Sequence, residues 1–308
     1  MNVAVLMGGN SSEREVSLTT GMEVIRALQA FGYDVSPCPY DKDFSEVEDD
    51  IKSVDVVFNA LHGGDGEGGI VQERMDELGI CYTGSGSESS SLAMDKNLSK
   101  RLMRKNDIQT PKWLHLKGKD DVELGNEKFT YPVVVKPNSE GSTVGVTIVK
   151  NEYDLDESVK LAFQFDTEIL IEEYIKGREI TVAVLENEVL PAIEIIPSHG
   201  IYDYACKYTA GMSKYVCPAE MPEKTAKQLA DVSVKIFQLL GCRDYSRVDY
   251  RMTDKDEFFC LEVNTLPGMT STSLVPKAAK AMDISFPELI DRILKCAMKR
   301  KEPVPQTN

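Results

Sequence analysis

The sequence predicts a mixed fold, in which an α/β domain with a doubly wound parallel sheet precedes an α+β region. An apolar run at residues 3–7 passes through Gly8 and Gly9 into a stretch with apolar residues at helical spacing. This order is typical of a buried parallel strand that leads into a helix. Beyond residue 130, strand-like runs follow one another with few helices between them, which indicates antiparallel sheets.

The first domain is predicted from a βαβα pattern. Ser12 and Glu15 have the spacing of a capping box that opens the first helix, and Gly32 is placed to end it. The next strands are expected at 34–38 and 54–59, with a helix near 70–78. Ligands of such domains bind at the carboxyl ends of the strands, so we expect functional residues in the loops that follow them.

The second region is predicted from the remaining periodic segments. A polar Gly/Ser stretch at 83–87 leads into one helix from about Ser89 to Lys105. Further strands are predicted at 131–136, 146–150, 169–173, 244–252 and 257–264, and further helices at about 154–164, 223–240 and 285–299.

Composition restricts the class of protein. The 42% hydrophobic and 28% charged content is ordinary for a soluble globular protein. The net charge of −15 argues against nucleic acid or an anionic membrane as the main partner. The 7 cysteines have no disulfide or metal spacing, and no apolar run reaches the roughly 18–20 residues that span a bilayer. We therefore predict a soluble, reduced, cytoplasmic protein.

The most informative segment is the predicted hairpin at 244–264. Residues two apart on a strand share a face, so Arg247 and Asp249 point one way on the first strand, and Glu262 and Asn264 point one way on the second. If the strands pair, these four side chains converge. Hard oxygen ligands suit Mg²⁺, which takes its other ligands from water and nucleotide phosphates. A solvated face of alternating charges is the alternative interpretation.

The turn after this hairpin favours the functional interpretation. Pro267 and Gly268 follow the second strand directly, and hydroxyl residues come next in the sequence. Such a turn places backbone N–H groups and hydroxyls beside the polar face, which a merely solvated strand does not require.

A second candidate nucleotide site begins at Lys136. An apolar strand ends at this lysine, and a loop with Gly141, Ser142 and Gly145 follows. Glycines let backbone N–H groups approach phosphate oxygens, and Lys136 would add a positive charge. The spacing is not that of a Walker P-loop. An ordinary hairpin turn after a terminal lysine is the alternative.

Taken together, these segments resemble the ATP-grasp fold, and more narrowly the D-alanine–D-alanine ligase family. The Lys136 strand and loop, the stretch at 172–179 and the triplet of Asp249, Glu262 and Asn264 carry the wider resemblance. The narrower one rests on further stretches in the same order along almost the whole chain, at 8–17, 61–63, 94–96, 202–208 and 264–274.

The resemblance implies an ATP-dependent ligase that joins two D-alanines through a D-alanyl phosphate, for peptidoglycan synthesis. It implies an N-terminal α/β substrate domain at 1–94, a central ATP-grasp subdomain at 95–178 and a C-terminal ATP-grasp catalytic domain at 179–308. It also implies ATP as a substrate, two Mg²⁺ ions that Mn²⁺ can replace, and a homodimer. Nucleic acid and membrane are not expected partners.

The resemblance also implies roles for individual residues. The ATP site would consist of Lys96, Lys136 and Lys207 at the phosphates, Glu172 at the adenine amino edge, Glu179 at the ribose, and Glu173, Tyr174, Ile175 and Leu261. The metal ligands would be Asp249, Glu262 and Asn264. The catalytic and substrate groups would be Glu13 for the first ammonium, linked to Ser142 and Tyr208, Arg247 with the Gly268 N–H for the oxyanion, His62 near the first substrate, and Ser273 with Leu274 for the second carboxylate.

Several of these residues also have structural interpretations. Glu13 could be an acid that complements a helix dipole, Lys96 could belong to a solvated helix face with Lys100 and Arg104, and His62 could be a turn histidine bonded to backbone. Tyr208 could be a surface-loop aromatic in the candidate lid at 202–218.

Two rival functions remain open from the sequence. The first is an ATP-grasp ligase with D-lactate or D-serine as acceptor, although Tyr208 favours the dipeptide. The second is a nucleotide-binding regulatory protein without turnover, which would be expected to lack metal ligands or Arg247. One departure from the family pattern is Gly68 after Glu67, where an acid is more usual.

Overall fold

A computed structural model of the chain describes residues 1–11, 13–118, 130–198, 206, 209 and 211–301. Three predictions fall on residues outside this set: the capping role of Ser12, and the functional roles of Lys207 and Tyr208. Part of the candidate lid at 202–218 lies outside it as well, namely residues 202–205, 207, 208 and 210. The predicted mixture of a parallel-sheet domain with an α+β region is confirmed.

The N-terminal domain is built on a parallel sheet with strand order β2-β1-β3. Its strands are β1 (Asn2–Gly8), β2 (Asp34–Tyr40) and β3 (Val56–Asn59). Its helices are α1 (Arg14–Ala30), α2 (Glu48–Lys52), α3 (Gly64–Glu67) and α4 (Ile70–Glu77). Strand β1 is central and buried from Val3 to Gly8, as its continuous apolar run predicts. The carboxyl ends of β1 and β3 therefore open onto the same edge of the sheet.

The helix predicted from Ser89 to Lys105 is in fact two helices, α5 (Ser87–Met94) and α6 (Lys96–Lys105). Asp95 interrupts them with an extended backbone, at ψ 98°. Its side chain accepts a hydrogen bond of 2.8 Å from the N–H of Leu98, so Asp95 caps α6. The prediction of one continuous helix was wrong because an aspartate in a helical pattern can also begin a new helix.

The central region is an antiparallel sheet with strand order β4-β7-β5-β6. Its strands are β4 (Trp113–Leu116), β5 (Val133–Pro137), β6 (Thr147–Val149) and β7 (Ile169–Glu173). Helix α7 (Leu155–Ala162) covers one face, and together they bury a separate small core. Strand β4 was not predicted, since its four residues carry no clear alternation.

The C-terminal region is a larger antiparallel sheet with strand order β11-β10-β8-β12-β13, and β9 pairs with β8. Its strands are β8 (Arg178–Leu185), β9 (Glu188–Val189), β10 (Ile193–Pro197), β11 (Ser213–Val216), β12 (Tyr245–Met252) and β13 (Phe258–Asn264). Helix α8 (Glu223–Leu239) packs against one face. The predicted hairpin is therefore confirmed as the antiparallel pair β12–β13.

The last two helices, α9 (Leu274–Lys280) and α10 (Phe286–Lys301), return to the N-terminal domain. Leu289, Ile290 and Ile293 of α10 are fully buried in the same core as Val3 and Val5 of β1. The hydroxyl of Tyr33 donates a hydrogen bond of 2.6 Å to Asp291 on α10. The N-terminal sheet is thus covered by residues from the far end of the sequence.

Candidate active site

A cavity of about 440 Å³ lies where the N-terminal domain, the loop after β5 and the β12–β13 hairpin meet. Both the predicted substrate residues and part of the predicted ATP and metal set line it: Glu13, His62, Lys96, Ser142, Arg247, Glu262, Asn264, Gly268, Ser273 and Leu274. Residues that are far apart in the sequence therefore share one cavity.

The polar face of the hairpin forms the floor of this site. Arg247 lies opposite Asn264, and Asp249 lies opposite Glu262, in the strand register. The guanidinium of Arg247 donates two hydrogen bonds to the carboxylate of Asp249, at 2.9 and 2.7 Å. Thr181 on the neighbouring strand β8 donates a further hydrogen bond of 2.6 Å to Asp249. The predicted convergence of these side chains is present in the fold.

The register of this hairpin shifts between Asp249 and Tyr250, which leaves Leu261 without a residue opposite it. Cys260 and Val263 are buried in the core, while Leu261 is only half-buried. A bulge breaks the strict alternation of a strand. Leu261 is therefore not part of the buried core of the hairpin, in contrast to Cys260 and Val263.

The oxygen donors on this face fit a hard divalent cation. Glu262 is 36% exposed, and the side-chain oxygen of Asn264 accepts a hydrogen bond of 3.1 Å from the N–H of Leu266, which orients the amide. Among the described residues, no group of three His, Cys, Asp or Glu side chains could hold a metal. The candidate set here is two carboxylates and one amide, the kind of sparse set that Mg²⁺ completes with water and phosphate.

Glu13 and Ser142 connect the N-terminal domain to the loop after β5. The hydroxyl of Ser142 donates a hydrogen bond of 2.7 Å to the carboxylate of Glu13. Ser142 and Thr143 both have left-handed backbones, with φ 50° and 65°, a conformation that is strained for residues other than glycine. Glu13 immediately precedes α1 and makes no side-chain cap. Its carboxylate instead serves a contact across the cavity.

His62 lies in the loop that follows β3, at the predicted carboxyl edge of the parallel sheet. Its ring is 5% exposed. Nε2 lies 2.9 Å from the hydroxyl of Thr20, and Nδ1 lies 3.9 Å from the carboxylate of Glu67. The ring is therefore bonded to a hydroxyl on one side and faces a carboxylate on the other, which favours a role at the cavity over a turn histidine bonded to backbone.

The segment from Asn264 to Leu274 forms one wall of the cavity. The hydroxyl of Ser273 accepts a hydrogen bond of 3.1 Å from the N–H of Thr270, and Ser273 is the residue that precedes α9. The N–H of Ser271 donates a hydrogen bond of 2.6 Å to Glu23 on α1. Helix α1 thereby holds the wall that carries Gly268 and Ser273.

Lys96 joins the loop after β5 to the hairpin. It is 5% exposed, so the alternative of a solvated helix face is wrong for this residue. Its ammonium donates a hydrogen bond of 2.7 Å to the carbonyl of Glu140 and lies 3.4 Å from the carboxylate of Glu262. A cation between the glycine-rich loop and the candidate metal face is well placed for a phosphate.

A buried ion cluster lies behind the cavity, on the central sheet. Glu172 on β7 is 2% exposed, and its two carboxylate oxygens lie 2.9 Å from Lys100 and 2.9 Å from Lys136. Burial would raise the pKa of Glu172, but the two ammonium groups together lower it below its usual value. Burial lowers the pKa of Lys100, against the opposing effect of Glu172.

The connection between β7 and β8 is held by Arg251, a residue that the sequence analysis missed. Its guanidinium donates hydrogen bonds of 3.2 Å to the carbonyl of Ile175 and 2.6 Å to that of Gly177. It also lies 3.6 Å from the carboxylate of Glu179 and 5.9 Å from the ring centre of Tyr174. Alternation along β12 could have found it, because Arg251 shares the face of Arg247 and Asp249.

Some predicted residues do not line the cavity. These are Asp249, Lys136, Glu172, Glu173, Tyr174, Ile175, Glu179 and Leu261. They lie on the central sheet, on the β7–β8 connection and on the hairpin. The predicted adenosine-binding residues are thus separate from the predicted substrate residues. Lys96 and Glu262, predicted for the phosphates and the metal, lie with the substrate residues in the cavity.

The C-terminal part of the chain matches a family model. Residues 102–295 fit the family described as "D-ala D-ala ligase C-terminus". The chain is 45% identical to the D-alanine–D-alanine ligase of Syntrophotalea carbinolica, over 97% of each protein. It is 44% identical to that of Aquifex aeolicus, over 96% of this chain and 100% of the relative.

Solved structures give the same result. The D-alanine–D-alanine ligase of Bacillus anthracis superposes with a TM-score of 0.88 at 37% identity, over 98% of each chain. The structure of the same enzyme complexed with ATP gives a TM-score of 0.87 at 36% identity, again over 98% of each chain. VanG D-Ala:D-Ser ligase from Enterococcus faecalis gives 0.84 at 30% identity, over 96% of this chain and 99% of that one.

Within the described residues, no helix has the length and apolar character needed to cross a membrane.

Proposed function

This chain belongs to the D-alanine–D-alanine ligase family, and we propose that its cavity joins two D-alanines into D-alanyl-D-alanine at the expense of ATP. The observation that carries the proposal is the single cavity shared by Glu13, Ser142, Arg247, Gly268 and Ser273. Glu13 supplies an anion for an ammonium group. Arg247 and the N–H of Gly268 supply donors for an oxyanion, and Ser142 and Ser273 supply hydroxyls. An acyl transfer between two amino acids requires groups of these kinds.

The first half-reaction activates a carboxylate. A carboxylate is a poor electrophile, so the carboxylate of the first D-alanine attacks the γ-phosphorus of ATP and ADP leaves, which gives D-alanyl phosphate. In this proposal Glu13 binds the ammonium of that alanine, and His62 lies beside it. Ser142 holds the carboxylate of Glu13 in place through its 2.7 Å hydrogen bond.

The second half-reaction forms the amide. The neutral amine of the second D-alanine attacks the carbonyl carbon, the bond from that carbon to the phosphate oxygen breaks, and the departing phosphate takes up the proton that the amine loses. The tetrahedral oxyanion is stabilised by Arg247 and by the N–H of Gly268, which for oxyanion holes in general amounts to about 3–4 kcal/mol. Ser273 and Leu274, at the start of α9, hold the second carboxylate.

We propose that ATP binds between the central and C-terminal sheets. Lys96 and Lys136 bind its phosphates, with Lys207 outside the described residues. The adenosine contacts are assigned to Glu172 for the adenine amino edge, Glu179 for the ribose, and Glu173, Tyr174, Ile175 and Leu261. The segment that carries most of these residues is held by Arg251 through two backbone carbonyls.

Asp249, Glu262 and Asn264 are the residues that would hold two Mg²⁺ ions, or Mn²⁺ in their place. When bound there, the ions would neutralise part of the negative charge of the ATP phosphates. The donor set of hard oxygens and the exposure of Glu262 toward the cavity support this assignment.

The remaining assignments follow the family. We propose a substrate domain at 1–94, a central ATP-grasp subdomain at 95–178, a catalytic domain at 179–308, and a homodimer. The product would feed peptidoglycan synthesis in the cytoplasm, where ATP is available and the described cysteines, all free thiols, stay reduced. Tyr208, in the candidate lid, would complete the link to Glu13 and Ser142.

The proposal is tested by phosphate release from ATP and Mg²⁺, with the products identified by mass. D-alanine alone should give D-alanyl-D-alanine, and L-alanine should give none. Because a D-Ala:D-Ser ligase is also a structural neighbour, D-alanine with D-serine and D-alanine with D-lactate form the second arm. Product only with a second acceptor would assign a variant ligase, and no phosphate under any pairing would contradict ligase activity.

A further inference from the structure

Lys100 is a buried cation that the proposed reaction does not use. Its side chain is completely buried on α6, although the sequence alone is compatible with an exposed position beside Arg104. A buried ammonium is costly unless it is paired. We therefore expect a partner whose interaction with the ammonium offsets the free energy lost on burial.

The ammonium of Lys100 is fixed by three groups. It lies 2.9 Å from one oxygen of Glu172 and donates a hydrogen bond of 2.6 Å to the hydroxyl of Thr110. It also lies 5.3 Å from the ring centre of Trp113, within the range of a cation–π contact. The side chain therefore has one position, and in it the charge is directed at Glu172.

The other oxygen of Glu172 lies 2.9 Å from Lys136. Lys136 and Glu172 alone would form a neutral pair, and Lys136 would then attract a phosphate only weakly. With Lys100 on the opposite oxygen, the three groups carry a net charge of +1. Charges in a buried site are poorly screened by solvent, so this difference acts on a phosphate bound nearby.

We propose that Lys100 is a positioning residue that neutralises Glu172, so that Lys136 keeps its positive charge for the phosphates of ATP. This inference rests on the proposed ATP site. Each member of the cluster then has its own role. Glu172 fixes the position of Lys136, and Lys100 compensates the negative charge of Glu172, which would otherwise cancel the positive charge of Lys136.

The test compares nucleotides with and without phosphates. Binding of ATP, ADP and adenosine is measured by calorimetry with Mg²⁺ in the wild-type protein and in Lys100→Met. We expect the Kd for ATP to rise about tenfold, as for a weakened charge-assisted contact, while the Kd for adenosine stays within about twofold and the KM for D-alanine is unchanged. Lys105→Met, the same substitution at an exposed position of α6, is the matched control and should behave as wild type.

The double variant Lys100→Met/Glu172→Gln separates the charge from packing. Because Glu172 is also assigned to the adenine amino edge, the comparison uses the ratio of ATP to adenosine affinity. If Lys100 acts by neutralising Glu172, removal of the carboxylate charge frees Lys136 again, and this ratio is higher in the double variant than in Lys100→Met alone. A purely structural role of Lys100 instead gives a double variant whose ratio of ATP to adenosine affinity is no higher than that of the single variant. That result would overturn the inference, and so would an equal loss of adenosine affinity in Lys100→Met.

The wild-type titration keeps the two proposals distinguishable. Wild-type protein that binds ATP, with Lys100→Met folded and unchanged in nucleotide affinity, overturns only the role of Lys100. Wild-type protein that binds no ATP overturns the proposed ATP site and this inference together. If Lys100→Met does not fold, Lys100→Arg keeps the charge and should retain the wild-type ratio of ATP to adenosine affinity, and loss of that ratio contradicts the charge role.

Discussion

Arg247 is held in place before any substrate arrives. Asp249, two residues further along β12, accepts two hydrogen bonds from the Arg247 guanidinium, at 2.9 and 2.7 Å. A bidentate pair of this kind fixes the plane of the guanidinium. Because the side chain also lines the cavity, the cation that is proposed to stabilise the oxyanion requires little reorganisation.

Arg247→Ala is expected to lower turnover by about two orders of magnitude or more, because an oxyanion donor acts mainly in the transition state. ATP affinity should change little, since the adenosine residues lie elsewhere. Steady-state kinetics with a parallel ATP titration measure both quantities. Turnover close to wild type would remove Arg247 from the oxyanion role.

Arg251→Ala should give the opposite kinetic profile. Its two hydrogen bonds to the carbonyls of Ile175 and Gly177 fix the β7–β8 connection. Their loss should raise the KM for ATP about tenfold, while kcat at saturating ATP stays near wild type. The reason is that the interaction stabilises bound ATP equally in the ground state and in the transition state. Arg247→Ala, measured in the same assay, is the comparison, and an unchanged KM for ATP would show that Arg251 does not organise the nucleotide segment.

Helix α6 illustrates what a sequence can and cannot predict about an element. Its existence was predictable, but its start at Lys96 was not, because Asp95 fits both a helix interior and a cap. The burial of Lys100 was equally hidden. A lysine in a helical pattern is expected to be exposed to solvent. Only the packing of α6 against β5 and β7 places Glu172 next to Lys100.

The strands of the candidate site were easier to predict than the helices. Alternation alone placed Arg247 with Asp249 and Glu262 with Asn264, and the pairing of the two strands follows from their short connection. The bulge at Leu261 could not be predicted, since a bulge depends on local twist and has no fixed sequence pattern. Helix α9 was also missed, because seven residues are too few for a clear period.

The cap of α6 can be tested directly. Asp95→Ala removes the acceptor of the Leu98 N–H, which lies 2.8 Å from the carboxylate. We expect a loss of about 1 kcal/mol in the free energy of unfolding, as for other helix caps. Urea unfolding measures it. Asp95→Asn, which retains an acceptor, is the control and should be nearly as stable as wild type, and an equal loss in both variants would contradict the capping role.

Across the whole molecule, one junction connects the end of the N-terminal domain to the hairpin and to the last helix. Asp244, directly before β12, accepts a hydrogen bond of 2.8 Å from the N–H of Gly84 and pairs with Arg300 of α10. Arg300 in turn donates a hydrogen bond of 2.7 Å to the carbonyl of Tyr82. The segment between the N-terminal sheet and α5, the hairpin and the last helix therefore meet at one buried carboxylate.

Asp244→Asn should destabilise the protein as a whole. The side chain of Asp244 is 3% exposed, and removing its charge leaves Arg300 with the carbonyl of Tyr82 but without its charged partner. We expect a loss of roughly 2–3 kcal/mol in the free energy of unfolding, below the full value for a completely buried pair because Arg300 is partly exposed. The exposed Asp254→Asn is the matched control in chemical denaturation, and equal stability of the two variants would contradict a structural role for the junction.

The return of α10 to the N-terminal sheet has a consequence for synthesis. During translation the strands β1, β2 and β3 leave the ribosome well before Leu289, Ile290 and Ile293, which complete their core. The part of the N-terminal core that α10 covers therefore stays exposed until α10 has been made. Contacts between such distant parts of a sequence form slowly, so the nascent N-terminal domain depends on late docking, or on a chaperone, to avoid aggregation.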